Sequence, residues 1–153
     1  ERYKQTAVNH KNNIHPHGGI NIGWMGSPAT TGYLNAIRPA LQKECINDGI
    51  HLILVGSGKF DLPGLQPELR HWSEATEVEE LRRFDVGIMP LADDKWSLGN
   101  FGYKLIQYMA CSLPVIASPI GSNNRIVSDG VNGFLAASPR EWASAIRLLN
   151  DDR

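Results

Sequence analysis

Five short runs of nearly continuous apolar residues recur along the chain: INIGWMG (20–26), HLILVG (51–56), FDVGIMPL (84–91), PVIAS (114–118) and GFLA (133–136). Each has the length of a strand, and none alternates polar with apolar as a sheet with one wet face requires. Such runs belong to parallel strands covered on both faces. Between them the pattern turns helical, as where Leu34, Ile37, Leu41 and Cys45 recur three and four residues apart. Strands alternating with helices predict an α/β fold: a Rossmann-like open parallel sheet with helices on both faces. LRHW (69–72) adds a short sixth strand.

The punctuation agrees with this order. Thr30 or Thr31 caps the first helix, Gly49 stops it, and Pro39 inside it predicts a kink or a late start. Thr76 and Glu79 form a capping box for the next helix. Its acidic residues 77, 79 and 80 lie at the start and Arg82 and Arg83 at the end, which complements the helix dipole. Further helices are expected at about 102–112, 123–128 and 139–149. The 153 residues fit one domain over 19–153. Residues 1–18, polar and without periodicity, read as a linker from a preceding domain, and His15 and His17 within it read as loop residues rather than metal ligands.

Composition removes several functions. A net charge of −1 with scattered Lys and Arg gives nucleic acid no basic surface to bind. No apolar run approaches the roughly 20 residues of a membrane helix. Cys45 and Cys111 sit in helical apolar patterns and are expected as free buried thiols.

In an open parallel sheet, ligands sit beyond the carboxyl ends of the strands. Those ends carry Gly26-Ser27 and Gly56-Ser57-Gly58. The second is not a dinucleotide fingerprint, because GxGxxG would need glycine where Asp61 stands and Pro63 obstructs an immediate helix. A tight turn and close approach of a ligand both remain open for Gly56 and Gly58. Ahead of the 102–112 helix, Gly99 and Gly102 remove side-chain bulk, and the first turn leaves backbone N–H groups suited to phosphate. On that helix Leu105, Ile106, Met109 and Ala110 are expected to face the core. Lys104, Gln107, Tyr108 and Cys111 form a second, more polar stripe, which faces either water or the crevice. The adjacent acids Asp93 and Asp94 are read as a solvated turn, and no metal site is expected.

Phe101-Gly102, KLIQYMACSLPVIAS (104–118), GSNNRIV (121–127) and DGVNGFL (129–135) together resemble the donor-binding half of a family 4, GT-B fold, retaining glycosyltransferase. TEVEELRRFDVGIMPL (76–91), INIGWMGSP and LILVGSG extend the resemblance over about residues 20–150. It implies two Rossmann-like domains facing across a cleft, this one holding a nucleoside-diphosphate sugar and an N-terminal domain supplying the acceptor site. It implies no cofactor beyond that donor substrate. The family's two glutamates, seven residues apart, would fall at Gly99, which has no side chain, and at Gln107, whose amide still hydrogen-bonds a ribose diol. Asn100 or Ser97 would substitute at the sugar, beside Phe101 and Tyr103. With no Arg or Lys in the Gly26–Thr31 loop, Lys104 becomes the candidate catalytic cation, ahead of Lys59. Trp72 is expected near the base and Trp96 near the sugar.

The resemblance thus implies a hexosyl-type transferase of cell-envelope or related glycans, cytoplasmic or at the inner face of a membrane reached through the N-terminal domain, with this part alone inactive. An inactive glycosyltransferase-like regulatory domain, favoured by Gly99, and a nucleotide-sugar epimerase on the same scaffold are the alternatives.

Overall fold

The computed structural model describes residues 18–99 and 101–152; the expected linker and Asn100 lie outside the described residues, apart from Gly18. The strands are β1 (Asn21–Met25), β2 (His51–Val55), β3 (Glu68–Arg70), β4 (Val86–Met89), β5 (Val115–Ala117) and β6 (Gly133–Leu135). The helices are α1 (Leu34–Asp48), α2 (Glu77–Leu81), α3 (Lys95–Leu98), α4 (Tyr103–Ala110), α5 (Asn123–Ile126) and α6 (Pro139–Asp151). All six strands are parallel, in the order β3-β2-β1-β4-β5-β6. Strand order therefore reverses at β1, and the β1/β4 seam is the topological switch point.

Strand pleating divides the core in two. Ile22 and Trp24 of β1, Leu52 and Leu54 of β2, and Ile88 and Ile116 face α1 and α6. Met25, Ile53, Val55, Met89, Val115 and Ala117 face Leu81 and Phe84 below α2 and Leu105 and Tyr108 of α4. Helices on both faces are what the continuous apolar runs require.

Local departures from expectation have simple causes. Pro39 lies inside an unbroken α1. The turn before it, Pro28–Tyr33, is a 3-10 helix, and there Thr30 Oγ1 accepts from the Ser27 N–H at 3.2 Å rather than capping α1. Thr76 does precede α2, but its side chain makes no cap bond and pairs with the Ser73 hydroxyl at 2.6 Å. The 92–98 stretch contains α3, capped by Asp94 Oδ1 accepting from Ser97 N–H at 2.7 Å.

The largest correction concerns α4. Ile106 is 53% exposed and Ala110 is exposed too, whereas Gln107, Tyr108 and Cys111 are buried with Leu105. The stripe expected to face water or the crevice is largely core, because its polar atoms find partners on distant elements. Neither Cys45 nor Cys111 forms a disulfide; burial pushes the Cys45 thiol up to about 11.

Candidate donor site at the carboxyl edge of the sheet

The β1–β4 ladder runs only through Ile22–Val86 and Gly23–Gly87. Beyond it Tyr108 of α4 takes the place of a direct strand contact. Its hydroxyl accepts from Met25 N–H at 2.9 Å and donates to the Ile88 carbonyl at 3.3 Å. Burial raises the phenol's pKa, so it keeps its proton for that second bond. Gly87 makes room for the ring: a Cβ there would fall 2.5 Å from Tyr108 ring carbons. The switch point is thus propped open by one phenol.

To one side of it, an open cleft of about 570 Å³ lies beyond the ends of β1, β2 and β3. Gly26, Ser27 and Pro28 line it from the β1 loop, Gly56, Gly58 and Lys59 from the β2 loop, and Leu69 to Trp72 from the end of β3. Gly56 (φ +81°) sits in the left-handed region, and a Cβ on it would meet the Gly26 carbonyl at 2.3 Å. The tight turn is therefore a steric necessity in itself. Ser57, between the two glycines, is buried and donates from its hydroxyl to the Gly58 carbonyl at 3.0 Å.

Arg70 lines the cleft as well, but its guanidinium is committed to Glu80 and Glu68, with Nη2–Oε1 and Nη1–Oε1 distances of 2.9 and 2.8 Å. Trp72 is 43% exposed, and its indole N–H donates to Glu77 Oε2 at 2.9 Å. Glu77 Oε1 in turn accepts from Gln107 Nε2 at 2.9 Å. Glu77 is itself buried.

Lys104 reaches the same edge from α4. Its Nζ stands 5.3 Å from the centroid of the Trp24 ring. Trp24 belongs to the α1/α6 core and α4 packs on the opposite face, so the ammonium crosses the carboxyl edge of the sheet. The same indole underlies Gly26, where a Cβ would lie 2.2 Å from a ring carbon. Lys104 therefore sits behind the β1 loop of the cleft without lining it. Desolvation depresses its pKa below the ordinary lysine value.

Of the residues expected at the site, the structure gathers Gly26, Ser27, Gly56, Gly58 and Trp72 in the lining of one cleft, with Lys59 beside them; Ser57, buried between two of the glycines, does not line it. Gln107 joins them through Glu77. Gly99, Phe101, Gly102 and Tyr103 lie outside its lining. Phe101 and Tyr103 are 85% and 64% exposed, as is Trp96 at 77%. The room that Gly102 leaves is filled from within: a Cβ there would meet Ile126 Cδ1 at 2.3 Å. Among the described residues no cluster of His, Cys, Asp and Glu is arranged to hold a metal, and Asp94 is occupied as a helix cap and with the Tyr33 hydroxyl at 3.2 Å. No helix among them is long and apolar enough to cross a membrane.

Sequence reasoning missed Arg70 and Glu77. Glu77 was visible only as one of three first-turn acids, and its burial depends on partners 5 residues before it and 30 residues after it.

A doubly wound parallel sheet with a glycine-walled cleft beside its switch point places the chain among the Rossmann-like α/β domains by architecture. Comparison with known proteins makes the assignment specific. Residues 21–152 match the family described as Glycosyl transferases group 1, and the chain belongs to that family. It is 34% identical over 132 residues to a D-inositol 3-phosphate glycosyltransferase of Geodermatophilus obscurus, covering 85% of this chain and 25% of that protein. A protein of the same name from Paenarthrobacter aurescens is 34% identical over 92 residues, covering 59% of this chain and 19% of the relative. The chain thus spans about a quarter or less of the length of these relatives.

Among solved structures, Anabaena Alr3699/HepE in complex with UDP and glucose superposes with a TM-score of 0.67 at 22% identity, covering 88% of this chain and 39% of that one. The C-terminal domain of a glycosyl transferase group 1 family protein (LpcC) from Francisella tularensis gives 0.63 at 19% identity, covering 87% and 76%. The fold is that of a GT-B glycosyltransferase domain.

Proposed function

We propose that this domain holds the nucleoside-diphosphate sugar of a glycosyltransferase, which transfers the sugar with retention of anomeric configuration once a second domain completes the cleft. The observation that carries the proposal is Lys104, an ammonium drawn across the carboxyl edge of the sheet to the back of the Gly26 loop. A partly desolvated cation behind the loop that walls the cleft gains most when an anion arrives. The cleft between Gly26, Gly56 and Trp72 takes the nucleoside, and the diphosphate extends toward Lys104 and the backbone N–H groups at the start of α4.

Glycosidic cleavage places negative charge on the departing diphosphate. Donors already fixed in place stabilise that charge without reorganising, and removing one typically costs about 3 kcal/mol of barrier. In the whole protein, Lys104→Ala is expected to lower turnover on the order of 100-fold while the variant stays folded. A near-normal rate would take Lys104 out of the mechanism. A binding screen with UDP-, GDP- and ADP-sugars identifies the donor, and failure of all three to bind the whole protein would overturn the reading.

The second reading, a glycosyltransferase-like binding domain without turnover, is favoured by Gly99, which offers a donor sugar no side chain. Donor hydrolysis or transfer by the whole protein separates the two. An epimerase would return an altered nucleotide-sugar instead.

A further inference from the structure

A carboxylate as enclosed as that of Glu77, 5% exposed, is costly unless its oxygens accept hydrogen bonds. Here the two oxygens accept from two different elements: Oε2 from the Trp72 indole before α2, and Oε1 from the Gln107 amide on α4. Each bond settles an orientation that packing alone leaves open. The Trp72 ring is partly exposed in the cleft wall and turns about two side-chain torsions; its N–H bond holds it at one setting. The Gln107 amide can turn over, exchanging its oxygen and nitrogen with little change of shape. An ionised carboxylate only accepts, so it holds Nε2 toward Glu77 and directs the amide oxygen away from it.

We propose that Glu77 is a positioning residue for the nucleoside of the donor: it locks the Trp72 ring as a wall of the cleft and sets the polarity of the Gln107 amide. The cleft wall and the helix that carries Lys104 are thereby held as one unit. The proposal rests on the nucleotide-sugar reading above. It adds that affinity for the nucleoside depends on a carboxylate that does not line the cleft.

A purely structural link between α2 and α4 would use the same two bonds, and the test separates the two roles. The whole protein is titrated with UDP, and with GDP and ADP alongside, as wild type, Glu77→Gln, Trp72→Phe, Gln107→Glu and the double variant Glu77→Gln/Gln107→Glu. Glu77→Gln leaves one acceptor for two donors, so one bond breaks or the Gln107 amide turns over. Kd and KM are expected to rise about tenfold, with the loss on KM rather than kcat. Gln107→Glu sets two carboxylates together and is expected to be worse. The double variant puts the acceptor on α4 and the donor on α2, and is expected to restore affinity to within about threefold of wild type.

Trp72→Phe keeps a six-membered aromatic ring and removes the N–H together with the five-membered ring that carries it, so an unchanged Kd in this variant still tells against the proposal if Glu77→Gln does not fold. A fall in melting temperature with unchanged Kd in Glu77→Gln, or in Trp72→Phe where that variant carries the test, would overturn the proposal. So would a double variant no better than its parents. If the wild-type protein binds none of the three nucleotides, the nucleotide-sugar reading itself fails and this inference falls with it.

Discussion

The two faces of the sheet are built to different rules. On the α1/α6 face the core is a continuous apolar cluster running from Ile20 to Ile146, with Trp142 fully enclosed among Ile, Leu and Ala. On the α2/α4 face, apolar packing is interrupted by buried polar side chains whose partners come from other elements: Tyr108 to β1 and β4, Gln107 to α2, Asn123 to the end of β5. The first face is held by area and volume, which are non-directional. The second is held partly by hydrogen bonds, which fix where atoms point. That directionality is what a site beside the β1/β4 seam needs, and Lys104 reaches its edge from α4 on this second face.

The sharpest way to break this contrast is to injure the apolar face and look for a functional effect. Trp142→Ala removes the largest enclosed side chain and is expected to cost about 3–5 kcal/mol of stability. Denaturant unfolding reads the loss directly. Nucleotide affinity of the remaining folded protein should stay as in the wild type. If affinity falls in step with stability, the faces are not separable.

Next in size is Tyr108→Phe, which keeps the ring against Gly87 and removes only the hydroxyl. Met25 N–H and the Ile88 carbonyl then lose a buried partner at the switch point. The expected cost is about 1–3 kcal/mol in denaturant unfolding. Unlike Trp142→Ala, this smaller loss should carry weaker nucleotide binding with it, because the phenol sets the opening of the β1/β4 seam. Stability loss with unchanged affinity would reduce Tyr108 to a core residue.

The same contrast explains what was legible in the sequence. The five apolar runs became five of the six strands within about two residues at each end, because burial on both faces writes itself into every position. The sixth, β3, was shifted by a residue or two toward Glu68, since an edge strand with only Leu69 as an apolar residue carries little pattern. The cleft glycines were legible for a similar reason: a turn at a strand end is a local event. The face of α4 was not. Periodicity assumes that polar means wet, and Gln107 and Tyr108 are dry because Glu77, Met25 and Ile88 reach them from 20 to 83 residues away. No window of helix length contains that information. Pro39 was read as a kink or a late start; it lies within α1, which begins at Leu34 after the 3-10 turn, and Ile37, Ala40 and Leu41 around it are buried.

The smallest effect tests whether the apolar face is as indifferent to charge as its composition suggests. Glu44 lies there in the groove between α1 and α6, 3% exposed, with Arg147 Nε 3.6 Å from its carboxylate. Burial raises its pKa; Arg147 pulls the other way, and Asp48 adds to the rise. A carboxyl whose folded pKa lies above its unfolded value binds more protons in the native state. Stability from this group is therefore present below the unfolded value near 4.5 and is lost as pH rises through the folded value. Glu44→Gln removes that titration and keeps the shape. It should match the wild type most closely near pH 4 and gain on it toward pH 7, by about 1 kcal/mol or less. Thermal melts of both proteins across that range measure the difference. A variant that instead loses ground as pH rises would mean that the pair with Arg147 outweighs the desolvation, and that the apolar face too relies on a directed polar contact.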